Sequence, residues 1–431
     1  MKSIWSDAVE QPQFQSFEGT QKTDVLIIGG GICGILCAYM LKNRGVDCVV
    51  AEADKICCGI TKDTTAKITY QHGLIYDKII KKYGLENARL YFESQKEALD
   101  KYRKLCDIIA CDFTECDSYV YSLDSREKIE REVDALNRLG CDAEFSDKTE
   151  LPFSVSGGAV MVKNQAQFHP LEFAYQVAKE LPIYENTKIL ELRPDGAITN
   201  QGKIVAEKII VATHFPFINK HGGYFLKMYQ HRSYVLALKG TPILKNMYVD
   251  ESKTGLSFRS YGELLILGGG SHRTGKNGGT WNELVQTANN YYPDSQEIGR
   301  WATQDCMTLD GIPYIGQYSK NTPNLYVATG FNKWGMTSSM TAAMILCDMV
   351  LEKENKYANL FSPSRSILHP QLAINTVESI LGLLTPTVPR CPHMGCALKY
   401  NKHEHSWDCP CHGSRFTEDG ELIDNPATDD K

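Results

Sequence analysis

The stretch from Asp24 to Glu52 restricts the fold more than any other part of this chain, because a glycine-rich turn separates two apolar runs. It reads DVLIIGGGICGILCAYMLKNRGVDCVVAE. Residues 25–28 predict a strand, the helical apolar pattern after the turn ends at Gly45, and residues 46–51 predict a second strand. Strand, glycine turn, helix, strand and acid in this order are typical of a Rossmann-like dinucleotide-binding unit.

The glycines of this turn, Gly29, Gly31 and Gly34, follow the spacing GxGxxG. The first two permit a tight turn and a close approach of backbone N–H groups to a pyrophosphate, and the third lets helix and strand pack closely. Glu52 stands where an acid hydrogen-bonds the adenosine ribose. These four residues predict a dinucleotide site; the alternative is a glycine-rich turn without a ligand.

The rest of the chain bears on whether the dinucleotide is FAD or NAD, because an NAD-binding domain continues directly with further βαβ units. Here a polar, threonine-rich loop follows at residues 59–67, and helical patterns cover residues 77–110 and 126–139. Rossmann-like segments return only at residues 208–214 and 324–353, where the second segment predicts a strand, a glycine-rich turn and a long helix.

Four segments carry a family resemblance through their order and spacing: GGGICG, KIIVATH, LDGIPYIG at 309–316 and YVATGFNKWGM at 326–336. Together they resemble the D-amino-acid-oxidase-like FAD oxidoreductases, which include sarcosine, glycine and γ-glutamylputrescine oxidases, over residues 23–352. The resemblance implies an α/β fold, with a Rossmann-like FAD-binding domain and an α+β substrate or cap domain. The implied division is 23–75, 155–215 and 300–352 for the FAD-binding domain, 76–154 and 216–299 for the cap, and 353–388 for a linker.

The resemblance also implies which residues bind FAD. By position they are Gly29, Gly31, Gly34, Glu52, Thr64, Thr65, Cys306, Gly330 and Gly335. The turn from Gly330 to Gly335 is expected to approach the isoalloxazine ring, where the N-terminus of the next helix stabilises negative charge. Cys306 lies near the position at which sarcosine oxidases bond a cysteine covalently to the flavin; an unreactive thiol is the alternative.

Oxidation of a C–N bond by these flavoenzymes requires little acid–base machinery, because the main task is to hold the reacting carbon against the flavin. Polar residues on the expected cap strands and in the flavin-facing turn are the catalytic candidates: Arg259, His272, Tyr234 and Lys333, with His72 and His169 as further candidates. A pocket arginine would suit an amino-acid carboxylate. For each of these residues a surface or structural role is the alternative.

A second group of potential metal ligands, cysteines and histidines, lies in CPHMGCALKYNKHEHSWDCPCHGS, residues 391–414. A zinc site commonly takes four ligands from CxxC-type pairs, and the one-residue spacing in CPH suits it poorly. A Rieske [2Fe–2S] centre takes two cysteines and two histidines, and CPHMGC and CPCHGS closely resemble its two loops. The implied ligands are Cys391, His393, Cys409 and His412.

The same resemblance assigns Cys396 and Cys411 to the disulfide that braces respiratory-type Rieske loops, which would be unusual in a reducing cytosol. Residues 389–431 are thus expected to form a small all-β Rieske domain. It looks truncated, because a helical segment at 373–384 leads almost directly into the first loop. A domain this small is expected to depend on its metal centre and to dock on the FAD domain or a second subunit.

Composition excludes some classes of function. A formal net charge of −6 argues against a nucleic-acid partner. The N-terminal residues lack the apolar core of a secretory signal, and the longest uncharged apolar run, 25–41, is shorter than a membrane span, so a cytoplasmic protein is expected. The sequence leaves open whether the chain forms a homo-oligomer.

The two halves together predict an oxidoreductase that uses FAD and a [2Fe–2S] cluster. FAD would take electrons from a small amine or amino acid, and the cluster would pass them singly to an external acceptor, for which a protein is one option. The alternatives are an oxidase that uses O₂ and has a structural tail, an electron-transfer module without a small-molecule substrate, and a tail stabilised by zinc.

Overall fold

The computed structural model describes residues 2–7, 9–218, 221–252, 255–386 and 389–431. The helices are α1 (Ile32–Lys42), α2 (Tyr76–Cys106), α3 (Arg126–Arg138), α4 (Pro170–Ala178), α5 (Tyr224–Lys227), α6 (Trp281–Tyr291), α7 (Gly335–Val350), α8 (Ala358–Phe361) and α9 (Pro370–Leu384). A short 3₁₀ helix covers Ile60–Asp63. The long helical pattern after residue 77 therefore forms α2, which a non-helical Gly84 interrupts.

Strands make up three sheets. In chain order they are β1 (Gly19–Ile28), β2 (Cys48–Ala51), β3 (Lys67–Ile68), β4 (Thr114–Tyr121), β5 (Ala143–Ser146), β6 (Ala159–Gln167), β7 (Ile183–Tyr184), β8 (Ile189–Arg193), β9 (Gly196–Thr199), β10 (Gly202–Val211), β11 (Met228–Lys239), β12 (Met247–Asp250), β13 (Ser257–Tyr261), β14 (Leu264–Arg273), β15 (Gln296–Thr308), β16 (Tyr314–Gln317), β17 (Leu325–Thr329), β18 (Lys399–Asn401), β19 (Ser406–Asp408), β20 (Arg415–Thr417) and β21 (Leu422–Asp424).

The first sheet has the order β16-β17-β10-β1-β2-β7, with β8 and β9 attached beside β10. Its central strands β17, β10, β1, β2 and β7 run parallel. The end of β1, residues 25–28, is apolar and buried, as expected for a parallel strand that is covered on both faces. Helices α1 and α7 pack against each other in the same core. This arrangement confirms the predicted Rossmann-like unit.

The second sheet has the order β15-β11-β14-β13-β12-β4-β6-β3, with β5 beside β6. Its pairings are antiparallel except for that between β12 and β4. Helix α6 packs on β11 and β14 through the apolar cluster around Trp281 and Leu284. Strands β3, β6 and β15 belong to this sheet, although the sequence-based division placed most of their residues with the FAD-binding domain. The domain division itself stays a prediction.

The third sheet has the order β18-β19-β20-β21 and lies in residues 389–431, which we call the C-terminal lobe. All three of its pairings are antiparallel, and each strand is only 3 residues long. Helix α9 precedes the lobe and packs closely on it, because a Cβ at Gly382 would lie 2.5 Å from the sulfur of Cys411. Among the described residues, none of the helices has both the length and the apolar character needed to cross a bilayer.

Candidate functional site

A cavity of about 860 Å³ is lined by residues of both large sheets and of the C-terminal lobe. Its volume falls within the range of about 300–1,000 Å³ that is typical of ligand and cofactor sites. The β1–α1 turn, the loop after β2, the ends of β10, β11 and β15, and the turn before α7 all contribute to the wall. The segments that the sequence analysis assigned to FAD therefore meet at one cavity.

The glycine turn after β1 fits a dinucleotide, because side chains at Gly29 and Gly34 would clash with the backbone. Gly29 has a positive φ of 109°, and a Cβ there would lie 2.6 Å from the carbonyl oxygen of Ala212. A Cβ at Gly34 would lie 1.9 Å from the carbonyl oxygen of Gly29, so α1 begins directly against β1. Gly29 and Gly31 line the cavity, whereas Gly34 acts through this close packing.

Glu52 lines the same end of the cavity at the end of β2. Its carboxylate accepts hydrogen bonds from the backbone N–H of Gly30 at 2.6 Å and of Asp54 at 2.9 Å. Burial raises the pKa of this carboxyl, although these backbone donors act in the opposite direction. The glycine cradle, the anchored acid and the cavity volume together fit FAD.

Other predicted FAD contacts divide into residues that line the cavity and one that does not. Thr64, Thr65, Cys306 and Gly335 line it. Gly330 is outside the lining and shapes the turn, since its φ is 72° and a Cβ would lie 2.3 Å from the Thr308 methyl group. The Cys306 thiol is buried, burial raises its pKa well above the ordinary value, and it donates to Gln230 Oε1 at 3.7 Å. The covalent link to flavin at Cys306 stays a prediction.

Of the catalytic candidates, Tyr234 and Lys333 line the cavity, while Arg259 and His272 do not. Arg259 is fully buried behind the wall, where its guanidinium donates to the carbonyl oxygen of Ala66 at 3.0 Å. His272 stacks on the Tyr234 ring at 5.8 Å, and its Nδ1 lies 3.1 Å from its neighbour Gly270's carbonyl oxygen. The structure therefore gives Arg259 and His272 packing contacts outside the cavity.

The two further histidine candidates also differ in position. His72 lines the cavity, stacks on Trp334 at a ring distance of 4.9 Å, and hydrogen-bonds the Tyr91 hydroxyl at 2.7 Å. Burial lowers the pKa of His72 to about 3, which keeps the imidazole neutral. His169 is not part of the cavity lining and caps α4 by accepting the N–H of Glu172 at 3.2 Å.

The sequence analysis did not single out Lys67, which is one of the lysines that line the cavity. Its ammonium group donates to the hydroxyls of Thr65 at 3.2 Å and Ser257 at 3.4 Å. Burial lowers the pKa of Lys67 to about 7, and the nearby charge of Arg259 acts in the same direction. The signal was a lysine at the end of the threonine-rich loop, directly before the apolar Ile68.

The four predicted cluster ligands come from two loops of the C-terminal lobe. The first loop closes on itself through bonds from Cys391 N to the Cys396 carbonyl and from Gly395 N to the Cys391 carbonyl, both 2.9 Å. The second closes in the same way, with Gly413 N donating to the Cys409 carbonyl at 2.9 Å. The loops meet, since the rings of His393 and His412 lie 5.0 Å apart and the neighbouring Cys409 thiol raises the pKa of Cys391.

These residues fit a [2Fe–2S] cluster of the Rieske type. Two thiols and two imidazoles are the donor set that such a centre uses, and Cys391, Cys409 and His412 are buried. Burial lowers the pKa of His412 to about 3 and that of His393 to about 4, so both rings are in the neutral, metal-binding form. Within the described part of the chain, the buried Nε2 of His412 has no hydrogen-bond partner.

The expected disulfide between Cys396 and Cys411 is not supported. Every described cysteine is a free thiol. The sulfurs of Cys396, Cys411 and Cys409 lie within 4.8 Å of one another, with no covalent bond between them. The pair therefore packs beside the predicted ligands in its reduced form.

Two buried glutamines join the cluster loop to the cavity wall. Gln230 on β11 donates through Nε2 to the carbonyl oxygens of His412 and Asn425, each at 2.9 Å. Gln304 on β15 donates to Gln230 Oε1 and to the Gly413 carbonyl, also at 2.9 Å. Gln230 also accepts a hydrogen bond from the Cys306 thiol. Its side chain therefore contacts both the cavity lining and the second cluster loop.

A buried network of charges connects the second sheet to the C-terminal lobe. Glu404 pairs with Arg232 of β11 and, at 2.9 Å, with Arg415 of the lobe. Arg415 also contacts Asp408 at 3.0 Å and Asp424 at 3.1 Å. Although burial alone would raise it, the two arginines hold the pKa of Glu404 at about 2. The lobe is thus fixed to the sheet by charges that solvent does not screen.

Comparisons with known proteins agree with both parts of the site. The model of the FAD dependent oxidoreductase family matches residues 24–349, and that of the Rieske [2Fe-2S] domain matches 367–430. The Rieske match thus begins at α9's N-terminal side, earlier than the predicted boundary at 389.

Relatives and solved structures extend this agreement. The Rieske 2Fe-2S iron-sulfur protein YhfW of Bacillus subtilis is 36% identical, covering 99% of this chain and 96% of its own. Gamma-glutamylputrescine oxidoreductase of Escherichia coli is 23% identical over 80% of this chain and 88% of its own. The crystal structure of glycine oxidase from Geobacillus kaustophilus has a TM-score of 0.68 at 20% identity, covering 80% of this chain and 99% of that one, which supports the fold.

Proposed function

Because the chain belongs to the FAD dependent oxidoreductase family and carries a Rieske [2Fe-2S] domain, we propose that it oxidises a C–N bond of a small amine or amino acid and passes the electrons through the cluster to an external acceptor. When bound, FAD accepts a hydride from carbon and a Rieske cluster carries single electrons. The remaining task of the protein is to position substrate, to exclude water and to connect the two cofactor sites.

One observation carries this proposal: Gln230 touches both cofactor sites. Its Oε1 accepts the thiol of Cys306, which lines the FAD cavity, and its Nε2 donates to the carbonyl of the predicted ligand His412 at 2.9 Å. A structural tail would not need to place its cluster loop against the cavity wall. This contact favours a relay over an oxidase whose lobe has no redox role.

Between an amine and an amino acid, Lys67 favours a substrate that carries a carboxylate. It is a half-buried lysine in the cavity wall, and its two hydroxyl partners are neutral. An anion that enters the cavity would supply a charge opposite to that of the protonated Lys67, and Lys67 would thereby orient the substrate. Arg259, which the sequence suggested for this role, is behind the wall.

A neutral imidazole in the cavity lining, that of His72, is suited to contact an uncharged amine. His72 stays neutral at working pH because burial lowers its pKa to about 3, and its stacking on Trp334 fixes the turn before α7. A neutral amine keeps its lone pair and is easier to oxidise than an ammonium ion. His72 is therefore a positioning residue in this proposal.

The test is an anaerobic titration of the full protein with a panel of amino acids and their decarboxylated amines. Flavin bleaching and the Rieske EPR signal are recorded together. Reduction of both centres by one class of compound is the expected result. Flavin bleaching without cluster reduction would remove the relay, and rapid H₂O₂ formation by protein that lacks the cluster would favour the oxidase. Failure of every compound to bleach the flavin would favour an electron-transfer module, and metal analysis that finds zinc would remove the cluster.

Lys67→Met provides the sharper test of substrate class. We expect KM for the reactive amino acid to rise about tenfold or more, and KM for its decarboxylated amine to change little, since only the carboxylate pairs with Lys67. The pKa of about 7 means that the charge on Lys67 is lost above that pH, so KM for the amino acid should rise as pH rises through 7. Equal KM changes for both compounds would contradict the assignment.

A further inference from the structure

The end of the C-terminal lobe forms part of the wall of the FAD cavity. The lining residues from this region are Leu422, Ile423, Asp424, Asn425, Ala427 and Thr428. We call residues 422–428 the tail. The tail lies outside the match to the FAD dependent oxidoreductase family and inside the match to the Rieske domain. The FAD cavity is therefore built from both parts of the chain.

Asn425 anchors the middle of the tail. Its side-chain amide donates to the carbonyl oxygen of Phe215 at 2.8 Å and to that of Thr213, which itself lines the cavity. On the other side, the Asn425 carbonyl accepts the amide of Gln230 at 2.9 Å. Both large sheets thus hold this residue, because Thr213 and Phe215 follow β10 and Gln230 lies on β11.

A second anchor holds the tail near the dinucleotide end. The Thr428 carbonyl accepts a hydrogen bond from the ammonium group of Lys188, and both residues line the cavity. The neighbouring Thr187 donates its backbone N–H to the carbonyl of Glu52 at 2.8 Å. The contact is therefore beside the acid that the ribose is expected to meet.

The tail is also tied to the second cluster loop. The backbone N–H of Ala427 donates to Ser414 Oγ at 3.0 Å, and the Ser414 carbonyl accepts the N–H of Cys409 at 2.8 Å. Ala427 is only 2% exposed, so this contact is shielded from water. A predicted cluster ligand and the cavity wall are thus two hydrogen bonds apart.

We propose that the tail is a FAD-binding element and that the C-terminal lobe retains FAD in its cavity. A segment that closes the cavity must move before FAD leaves, so its anchors slow FAD release. By linkage, an anchored tail that strengthens FAD binding is itself stabilised by bound FAD, by the same free energy. This inference rests neither on the substrate nor on the electron path proposed above, because retention of FAD is measured without turnover.

Hydrogen–deuterium exchange on the full chain tests the proposal directly. FAD-loaded and FAD-stripped samples, both with the cluster intact, are compared in the Cys306→Ala background, in which FAD cannot be attached at that position. We expect FAD to slow exchange of the tail amides by about tenfold or more while β18 and β19, which do not line the cavity, change little. Equal exchange of the tail in the two samples would overturn the proposal.

A release experiment tests the anchors. Asn425→Asp keeps the shape of the side chain but replaces the amide donor that binds Thr213 and Phe215 by an acceptor. We expect FAD to dissociate about tenfold faster, seen as an increase in flavin fluorescence, with the visible circular dichroism of the cluster retained. Glu418→Gln, an exposed acid of the same lobe, is the matched control.

Lys188→Met removes the second anchor, the hydrogen bond to the Thr428 carbonyl. Because Lys188 lies outside the lobe, this variant still tests the proposal if changes within the lobe disturb the cluster. The expected result is again faster FAD release with the cluster signal unchanged. Release at the parent rate in both Asn425→Asp and Lys188→Met would show that the tail does not retain FAD.

Discussion

The first sheet and the C-terminal lobe differ in the kind of residue that lies at the centre of each. At the centre of the first sheet, residues 25–28 of β1 are apolar and buried, and they pack with α1 and α7 into a large core. At the centre of the lobe lies Arg415, which is 3% exposed and is surrounded by Asp408, Glu404 and Asp424. The first region is stabilised mainly by the hydrophobic effect, whereas the second has buried paired charges at its centre and is therefore sensitive to the loss of any one partner.

The reason for the difference is size. The apolar cluster of the lobe is small and consists largely of cysteines, with Leu398, Phe416 and Ala427. A segment of this length buries too little apolar surface to fold securely alone. Its remaining stability must come from contacts with the second sheet, such as Arg232 with Glu404 and Gln230 with the His412 carbonyl, and from its metal centre. We therefore expect the lobe to fold stably only when it contacts the second sheet and holds its metal centre.

Gly34→Val should break the first region completely. A Cβ at this position would lie 1.9 Å from the carbonyl oxygen of Gly29, so α1 cannot keep its place against β1. We expect protein purified without FAD and with a thermal unfolding transition lowered by ten degrees or more, on the order expected for several kcal/mol. The ratio of flavin absorbance to protein measures the loss.

Gly299→Ala is the control for this change. The nearest atom to a Cβ at Gly299 is a methyl carbon of Ile4 at 4.0 Å, which is ordinary contact. Retention of FAD by Gly34→Val at the level of Gly299→Ala would mean that the close approach of α1 and β1 is dispensable.

Glu404→Gln should break the lobe and leave the first region intact. The change leaves Arg232 and Arg415 buried with one carboxylate fewer, which typically costs about 3–5 kcal/mol. We expect the cluster's visible circular dichroism to be lost at lower denaturant concentration, while the transition of the first sheet is little altered. Glu418→Gln removes an exposed acid that pairs with His405 and should change neither transition.

Acid should weaken the lobe before it weakens the first sheet, because it protonates Glu404. The pKa of Glu404 is about 2 in the folded lobe, below the ordinary value for a glutamate. Its contribution is therefore complete above about pH 4.5 and is lost as pH falls through 2, for a total of about 3 kcal/mol. The lobe should undock in acid in the parent protein, whereas in Glu404→Gln this step should be absent. An unchanged acid profile in the variant would assign the step to other groups.

Gln230→Leu should have the smallest effect of the series. It deprives the carbonyls of His412 and Asn425 of a donor without adding charge, at a cost of about 1–3 kcal/mol. We expect weaker docking of the lobe and a slower transfer of electrons from flavin to cluster in a single-turnover experiment. Exposed Gln201→Leu is the control, since its side chain lies at a distant turn. Equal transfer rates in the two variants would remove Gln230 from the contact.

Much of the fold followed from local patterns. The glycine turn, its two strands and helix α1 were predictable because tight backbone approach permits few sequences there, and Gly29 and Gly34 stand where side chains would clash. The paired loops CPHMGC and CPCHGS were predictable for a similar reason, since a cluster requires a fixed ligand spacing.

The pocket residues were not predictable in this way. Arg259 and Lys67 are both cations on strands of the second sheet, and only the register decides that Lys67 lines the cavity while Arg259 lies behind it. Gln230 and Gln304 carry no motif, and their importance arises from a contact between residues far apart in the chain. The thiols of Cys396 and Cys411 were expected to form a disulfide, and the structure keeps them free.

The dinucleotide site and the predicted two-cysteine, two-histidine centre could be recognised in the sequence, because both depend on short segments whose spacing is set by the bound group. How the two are joined follows only from the folded chain: Glu404 lies between Arg232 and Arg415, Gln230 contacts the His412 carbonyl, and the tail lies in the wall of the FAD cavity. Contacts such as that between Arg232 and Glu404, which are 172 positions apart, depend on the docking of whole sheets, and no local pattern encodes them.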